Sequence, residues 1–473
     1  MASYFHYCLC AAFLLLIRIP VSALDLTILG GEPHQSIDGF GAATSFGDGG
    51  RHELFFSREK GIGLSLCRTP IPEDGSFPNP EIAKAAQAYG AKVWSSCWSP
   101  PARMKSNNSL NGGGYLLPGQ YQAFADFLAD YAERAKADGI DLYAISIQNE
   151  PNVTAKYSSC IWTAPQFHDF IRDNLGPTFR KRSLSTRIIA PEYSGWAFDL
   201  AEATMDDSIS RNYTSILAAH TYKPDDKSKP YAKALTFGKR QWQTETSSLD
   251  GIDRSMANAL RWMQEIHTML TKTRINAWHY WLLDGGTKDN NEGLWAKGPT
   301  KRLYALGNYA RFARPGSALI GVTGGNLDVL VTAFEDTTSS RNVSIVAVNM
   351  GAADVPCRFT LDQLQVTRVT PWVTSAQYDL ARQQDIPVVD NGFAATLPAK
   401  SVTTFDGAGV AQTRLSGYPS PHDPVQGKPH AVFSGKGMPI FFTADRFAQE
   451  AAGMQADGRV IWTGRGTADA RIP

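Results

Sequence analysis

Two hydrophobic periods follow one another along this 473-residue chain. From about residue 60 to 314, amphipathic helical stretches alternate with short apolar runs that end in polar loops. In one example, "YQAFADFLADYAERAKADG" has apolar residues at helical spacing up to Gly139, and the apolar run "IDLYAISIQNEP" follows it. Helices that alternate with continuously apolar strands indicate parallel βα units of an α/β protein.

The strand candidates number eight and start near residues 37, 62, 92, 142, 187, 215, 240 and 276. Eight units in about 275 residues match a (β/α)8 TIM barrel. A doubly wound open sheet is the alternative, but the sequence has no glycine-rich phosphate loop between a strand and a helix to support it. We therefore predict a catalytic barrel over residues 37–314.

The period changes to two after the predicted barrel. Runs such as "LDVLVTAFE" and "NVSIVAVNM" alternate and are separated by turns, which predicts an antiparallel β-sandwich side domain over 315–408. Residues 24–36 are also strand-like, so we expect this domain to be built from both chain ends. Residues 409–473 show no clear period, and this C-terminal extension is left unassigned.

Composition narrows the class of protein. The net charge of +1 offers no basic field for nucleic acid or an anionic membrane. Residues 1–23 have the apolar stretch and small-residue end of a signal peptide cleaved after Ala23, with Arg18 and Pro20 interrupting any membrane span. We expect a secreted, extracellular protein.

Cysteines and glycosylation sequons fit that route. Four cysteines remain after the predicted signal peptide, which allows one or two disulfides whose pairing stays open: Cys67, Cys97, Cys160 and Cys357. Four Asn-x-Ser/Thr sequons suggest a glycoprotein: Asn107, Asn152, Asn212 and Asn342. Asn152 lies two residues past Glu150, where a glycan would crowd a catalytic cleft, so we expect it to be unmodified. No CxxC or HExxH pattern suggests a metal, and no cofactor is expected.

Glu150 and Glu245 each follow an apolar strand and are 95 residues apart, or about three βα units of about 31 residues. Strand ends spaced in this way face across the same barrel mouth. A single glutamate at a strand end is usually a solvated loop residue. A matched pair can cleave a glycosidic bond, with one carboxyl protonated and the other ionised.

Five motifs resemble those of glycoside hydrolase family 30. They are "IDGFGAA" (37–43), "WSPPARMKSN" (98–107), "DLYAISIQNEP" (141–151), "AHTY" (219–222) and "QTE" (243–245), within a resemblance that covers roughly 25–408. The resemblance implies a retaining, endo-acting O-glycosyl hydrolase with Glu150 as acid/base and Glu245 as nucleophile. The negative charge of Glu245 is expected to raise the pKa of Glu150 and keep it protonated.

The same resemblance implies further substrate-binding roles. Asn149 would contact the sugar 2-hydroxyl, Tyr222 on strand six would hydrogen-bond Glu245, and Trp98 and Trp281 would line a sugar platform.

The local sequence, apart from the resemblance, bears on three other residues: Trp278, His220 and Arg68. Trp278 lies three residues before Trp281, on the opposite face of the strand, so at most one of the two faces the cleft. His220 is a candidate site residue, although a lone histidine is more often a satisfied core residue. Arg68, which we expect just after strand two, could neutralise the carboxylate pair or form a surface salt bridge.

The substrate is the least determined property. Members of the family include glucuronoxylan and xylan endohydrolases, β-1,6-galactanases and glucosylceramidases. The glucuronoxylan-specific members carry an arginine after strand eight, where this chain reads "WLLDGGTKDNNEG" with Asp284 and Lys288. A carboxylate there would repel glucuronate, which favours a neutral substrate in plant cell-wall polysaccharide.

We rank endo-β-1,4-xylanase first and endo-β-1,6-galactanase second. A glucosylceramidase-like enzyme or a non-catalytic carbohydrate-binding protein is the further alternative. The expected partner is a polysaccharide or oligosaccharide, with no nucleic acid and no membrane, and the chain is expected to be a monomer.

Overall fold

The computed structural model describes residues 23–223, 227–337 and 341–409, together with short strand segments between 430 and 461. The predicted signal peptide, apart from Ala23, lies outside the described residues, as does most of the C-terminal extension. The chain divides into two units, Met1–Ala411 and Gln412–Pro473. Among the described residues, no helix combines the length and apolarity needed to cross a bilayer.

The strands, in chain order, are β1 (Leu24–Ser36), β2 (Gly39–Ala43), β3 (Leu66–Ile71), β4 (Lys92–Cys97), β5 (Leu142–Ser146), β6 (Arg187–Tyr193), β7 (Thr214–Ala219), β8 (Arg240–Gln243), β9 (Ala277–Asp284), β10 (Gly293–Trp295), β11 (Ala318–Gly324), β12 (Val329–Glu335), β13 (Val343–Asn349), β14 (Val355–Asp362), β15 (Val366–Thr374), β16 (Ala381–Arg382), β17 (Ile386–Pro387), β18 (Gly392–Leu397), β19 (Ser401–Gly409), β20 (His430–Phe433), β21 (Pro439–Phe442), β22 (Gly453–Met454) and β23 (Val460–Ile461).

The α-helices are α1 (His52–Phe56), α2 (Pro80–Ala88), α3 (Tyr121–Ala137), α4 (Ala164–Phe170), α5 (Gly176–Lys181), α6 (Glu202–Asp206), α7 (Ser208–Tyr213), α8 (Ala232–Thr236), α9 (Met256–Thr268) and α10 (Lys301–Ala310). Short 3₁₀ turns occur at Ala102–Met104, Pro118–Gln120 and Asp199–Ala201. The segments Ile171–Leu175 and Met269–Thr273 are π-helical.

Strands β2 to β9 form a closed parallel barrel. Each pairs with its neighbour in chain order, and β9 pairs with both β8 and β2, so the sheet has no open edge. The predicted TIM barrel is confirmed, and the open doubly wound sheet is wrong. β10 is a short extra strand that runs parallel to β9.

Large side chains fill the barrel interior. Trp94 and Trp242 meet edge to face at 5.9 Å, and the indole Nε1–H of Trp94 donates to Nε2 of His279 at 3.1 Å. The backbones of β2 and β3 approach closely at Gly41, where a Cβ would lie 2.6 Å from the carbonyl oxygen of Leu66. This packing explains why the first barrel strand reads Gly-Phe-Gly-Ala-Ala.

The side domain is one connected sheet that joins both chain ends of the first unit. β1 pairs antiparallel with β11 and parallel with β14. The aromatic rings of Phe359, Phe393 and Phe405 meet with centroids 4.6 to 5.1 Å apart, although β14 and β19 are distant in the strand order. The sheet therefore curls onto itself to enclose a core, where the sequence predicted two sheets of a sandwich.

Amphipathic helices cover the barrel. The helix α3 buries Phe124, Leu128 and Tyr131 on one face, which is the spacing read from the sequence. The helix α10 links the barrel to the side sheet, because the amide of Asn308 donates to the carbonyl oxygen of Trp372 at 2.9 Å and to Thr404 Oγ1 at 3.0 Å.

Candidate active site

Loops at the carboxyl ends of β5 and β8 bring Glu150 and Glu245 to the barrel mouth. The backbone N–H of Asn149 donates to the carbonyl oxygen of Cys97 at 2.7 Å, and that of Glu150 donates to the carbonyl oxygen of Glu192 at 3.0 Å. Glu150 has a φ of 45°, a left-handed conformation that turns the chain just before Pro151. The loop is thus tied to the neighbouring strands on both sides.

The two carboxyl groups are close together and almost fully buried. A carboxylate oxygen of Glu150 lies within 4.8 Å of one of Glu245, and the side chain of His220 completes the group. A pair separated by about 5–5.5 Å suits a retaining glycosidase, since no water fits between the sugar and the nucleophile. These three side chains also have the spacing of a metal site, but the positive charge of Arg68 next to Glu245 would repel a cation.

Glu245 is held from two sides. Nη1 of Arg68 forms an ion pair with Oε2 of Glu245, and the hydroxyl of Tyr222 donates to Oε1 at 2.9 Å. Burial raises the pKa of Glu245 above its ordinary value, while Arg68, His220 and the Tyr222 hydrogen bond oppose that rise.

Glu150 accepts two hydrogen bonds. Its Oε1 lies 3.1 Å from Nδ1 of His220, and its Oε2 accepts the hydroxyl of Tyr157 at 2.9 Å. Burial would raise the pKa of Glu150, but the hydrogen bonds of His220 and Tyr157, with the charges of His220 and Arg68, outweigh it and lower the pKa. This direction is opposite to the one expected from the sequence, which considered only the charge of Glu245.

His220 is fully buried among carboxylates. Its Nε2 lies 3.5 Å from Oε1 of Glu192 and 3.9 Å from Oε2 of Glu245. Burial opposes a charged ring, yet the charge of Glu245 and the hydrogen bonds to Glu150 and Glu192 raise the pKa of His220 to about 9. The surrounding carboxylates therefore favour the charged, imidazolium form of His220.

A third buried carboxylate, Glu192, was missed by the sequence reasoning. It is the last residue but one of β6, has a φ of 60°, and accepts Arg68 Nη2 at 2.9 Å and Ser96 Oγ–H at 2.6 Å. These contacts hold the pKa of Glu192 down at about 2 against the opposing effect of burial. The available signal was the one used for Glu150 and Glu245, a carboxylate at the end of an apolar strand.

Arg68 connects the carboxylates and lies within β3, where the sequence expected it after the strand. Its Nη2 donates to Oδ1 of Asn149 at 2.6 Å in addition to Glu192. The surface salt bridge considered for Arg68 is wrong, because its side chain is 2% exposed. Tyr222 was predicted on the sixth barrel strand but lies three residues beyond it, because that strand, β7, ends at Ala219.

Aromatic rings form one wall of the mouth. Trp98 and Trp281 stack with centroids 5.5 Å apart, and Tyr157 packs against Trp98 at 5.8 Å. Trp278 lies in the core between the barrel and its helices. Tyr157, which the sequence did not single out, is in a loop without periodicity and has no sequence signal comparable to that of Glu192.

Paired charges line the rim beyond β9. Oδ2 of Asp284 accepts from Nη1 of Arg51 at 2.6 Å, and Lys288 pairs with Glu292 at 2.6 Å. The guanidinium of Arg51 also lies 4.1 Å from the centroid of the Trp295 ring. The charge of Asp284 is therefore offset by Arg51, where the sequence predicted an unpaired carboxylate.

The four cysteines after the predicted signal peptide are free and buried, so no disulfide forms among them. The side chain of Asn152 accepts the backbone N–H of Ser194 at 3.0 Å and donates to its hydroxyl at 2.8 Å. These two bonds hold the amide against the protein. The absence of a glycan at Asn152 stays a prediction.

Comparisons with known proteins agree with this architecture. The family model "Glycosyl hydrolase family 30 TIM-barrel domain" matches residues 58–243. Glucuronoxylanase XynC of Bacillus subtilis (strain 168) is 30% identical over 406 residues, which cover 81% of this chain and 92% of that protein.

Solved structures give a similar result. The glycoside hydrolase family 30 subfamily 8 xylanase Xyn30A from Clostridium acetobutylicum has a TM-score of 0.73 and 30% identity, covering 81% of this chain and 99% of that one. A GH30 endoxylanase from Clostridium papyrosolvens C71 has a TM-score of 0.70 and 29% identity, covering 81% and 100%.

Proposed function

The chain belongs to glycoside hydrolase family 30, and we propose from that premise that it is a retaining endo-β-1,4-xylanase. The observation that carries the chemistry is the pair of buried carboxyl groups, Glu150 and Glu245, within 4.8 Å at the barrel mouth. The choice of xylan is supported by similarity to xylanases over 81% of the chain.

In this mechanism Glu245 attacks the anomeric carbon while Glu150 protonates the glycosidic oxygen. The C–O bond to the leaving sugar breaks and a covalent bond between the sugar and Glu245 forms. Glu150 then takes a proton from water, whose oxygen attacks the anomeric carbon and releases Glu245. Arg68 and Tyr222 keep Glu245 ionised for the first step.

Asn149 and the aromatic wall orient the substrate. Because Oδ1 of Asn149 accepts from Arg68, the orientation of its amide is fixed, and we assign the NH₂ group to a sugar hydroxyl. The stacked pair of Trp98 and Trp281 supplies apolar surface for a pyranose ring.

Glucuronate should not be required for cleavage. The ion pairs of Arg51 with Asp284 and of Lys288 with Glu292 leave no net positive charge at the rim. We propose that the enzyme recognises the neutral xylan main chain, although its relative from Bacillus subtilis is named a glucuronoxylanase.

Two further properties belong to the proposal. We propose that the enzyme acts as a monomer, because both proposed catalytic residues lie at the mouth of a single barrel. We also propose secretion, because a polysaccharide substrate lies outside the cell.

The test is product analysis by chromatography after incubation with arabinoxylan, glucuronoxylan and β-1,6-galactan, with Glu245→Gln as the blank. Xylo-oligomers from both xylans are expected, with retained anomeric configuration by proton NMR at early times. Products from glucuronoxylan alone would refute the neutral-substrate proposal. Galactobiose without xylose products would assign the enzyme to the galactanases. No products from any polymer would refute the proposed function.

A further inference from the structure

Glu192 lies at the centre of the site and would not touch the substrate. It is fully buried, and its two oxygens contact Arg68 at 2.9 Å, His220 at 3.5 Å and Ser96 at 2.6 Å. Arg68 and His220 are the two cations that contact Glu245 and Glu150, respectively. One carboxylate thus orients the partners of both proposed catalytic residues.

The charges of this network identify where the catalytic proton is held. Three carboxylates face two groups that can be cationic, Arg68 and His220. Both ring nitrogens of an imidazolium are donors, and here Nδ1 faces Glu150 while Nε2 faces Glu192. Each nitrogen therefore has a carboxylate acceptor, which is the arrangement that a protonated His220 requires.

Resting on the proposed function, we propose that Glu192 is a positioning residue that makes His220 the carrier of the catalytic proton. In the first step the Nδ1–H bond of His220 breaks as its proton moves to the carboxylate of Glu150, and Glu150 then gives a proton to the leaving oxygen, which leaves His220 neutral and Glu150 ionised. In the second step the proton from water returns to Glu150 and then to Nδ1. The Glu150–His220 pair begins and ends the cycle with the same proton count.

With His220 as the proton carrier, Glu150 can be a hydrogen-bonded carboxylate at rest and still deliver a proton to the leaving oxygen. Its carboxylate is stabilised by hydrogen bonds from His220 and Tyr157, which would make an isolated carboxyl a poor general acid near neutral pH. The adjacent His220 ring is one hydrogen bond away, and the surrounding carboxylates raise its pKa to about 9. The pair therefore remains an acid over a wider pH range than Glu150 alone.

Removing the negative charge of Glu192 should shift both limbs of the pH–activity profile in a direction that the structure predicts. Without this anion the protonated His220 loses a favourable neighbour, so its pKa falls and the basic limb of activity moves to lower pH. Glu245 loses a like-charged neighbour while Arg68 remains, so its pKa falls and the acidic limb moves in the same direction. The other titratable groups near Glu192 are Cys97 at the end of β4 and His279 in β9. Both are uncharged at neutral pH, because burial raises the pKa of the Cys97 thiol and lowers that of His279 to about 3.

The test is the pH dependence of kcat/KM on xylohexaose, an unactivated substrate that needs a general acid. For Glu192→Gln we expect both limbs to move down by about 1 unit or more, the range for loss of a charge within ~4–6 Å. Asp38→Asn is the matched control, since Asp38 is a buried carboxylate at the opposite end of the barrel that accepts from Trp242 at 2.8 Å. A lower rate with both limbs unmoved in Glu192→Gln would overturn the inference.

A second measurement needs no folded Glu192 variant. Histidine-labelled wild-type protein is titrated by NMR, and the His220 signals are assigned from their loss in His220→Gln. Both ring nitrogens of His220 should remain protonated past pH 7.5, and a midpoint near the ordinary value of about 6.5 would overturn the inference. Because this titration does not depend on substrate, inactive wild-type protein would refute the proposed function and leave the location of the proton measurable.

Discussion

Substitution of Tyr222 and of Tyr157 gives a matched test of the proposed roles of Glu245 as nucleophile and Glu150 as acid/base. Each hydroxyl donates to one carboxylate at 2.9 Å, Tyr222 to Glu245 and Tyr157 to Glu150. The two rings are similarly exposed, at 41% and 47%. The same substitution, tyrosine to phenylalanine, therefore removes the same kind of hydrogen bond from each member of the pair.

The expected shifts follow from the energy of that bond. A hydrogen bond to a charged group contributes about 1.5–3 kcal/mol, and one pKa unit corresponds to about 1.36 kcal/mol. With half-exposed rings the lower end applies, or about 1 unit. Tyr222→Phe should raise the pKa of Glu245, which must be ionised, and move the acidic limb to higher pH. Tyr157→Phe should raise the proton affinity of Glu150 and move the basic limb to higher pH.

The assay is kcat/KM on xylohexaose from about pH 3 to 10, with wild-type protein measured in the same buffers. Thermal unfolding of both variants checks that the fold is kept. Opposite assignments, with Tyr222→Phe moving only the basic limb and Tyr157→Phe only the acidic limb, would show that the roles of Glu245 and Glu150 are exchanged. If neither limb moved, the hydrogen bonds would not set the protonation of the site, and the reasoning would be refuted.

Three further outcomes are expected. Glu150→Gln should keep a first-step burst on aryl xylosides with good leaving groups while xylan hydrolysis falls by about 10²–10⁴-fold; equal losses on both substrates would contradict the acid role. Trp98→Ala should raise KM several-fold through loss of the stacked platform, with a smaller change in kcat, and an unchanged KM would exclude the sugar contact. Asp284→Ala should free Arg51 and increase the rate on glucuronoxylan relative to arabinoxylan, an increase that about 1 M salt removes. No change in that ratio would show that the rim does not contact the decoration.

The barrel could be predicted because its strands are buried on both faces. Most strands therefore read as apolar runs between amphipathic helices, although β8 (Arg-Gln-Trp-Gln) has one apolar residue, and each predicted start lies within about four residues of the observed strand. The curled side sheet was harder to predict. Alternation shows that a strand has one buried face, but it does not show whether distant strands such as β14 and β19 belong to one sheet or two.

The residues of the candidate active site could also be predicted only in part. Glu150 and Glu245 could be found because parallel strand ends meet at one mouth, so position in the chain translates into position in space. Tyr157 could not be found in this way, since it reaches Glu150 from a loop whose course depends on tertiary contacts. The protonation state was also out of reach, because the pKa of Glu150 depends on His220 and Tyr157 more than on its spacing from Glu245.

The backbone shows what this arrangement costs the fold. Glu150 and Glu192 both adopt positive φ values, 45° and 60°, where a residue with a Cβ is disfavoured by about 1–2 kcal/mol. The N–H of Glu150 donates to the carbonyl oxygen of Glu192, so the two strained residues hold each other in place. Glu150 lies beyond the end of β5 at Ser146, and Glu192 lies at the register shift between Pro191 and Tyr193 in the pairing of β6 with β7. The strain coincides with the carboxylates that face His220, which is where a site that must fix a proton between two acids needs rigid geometry.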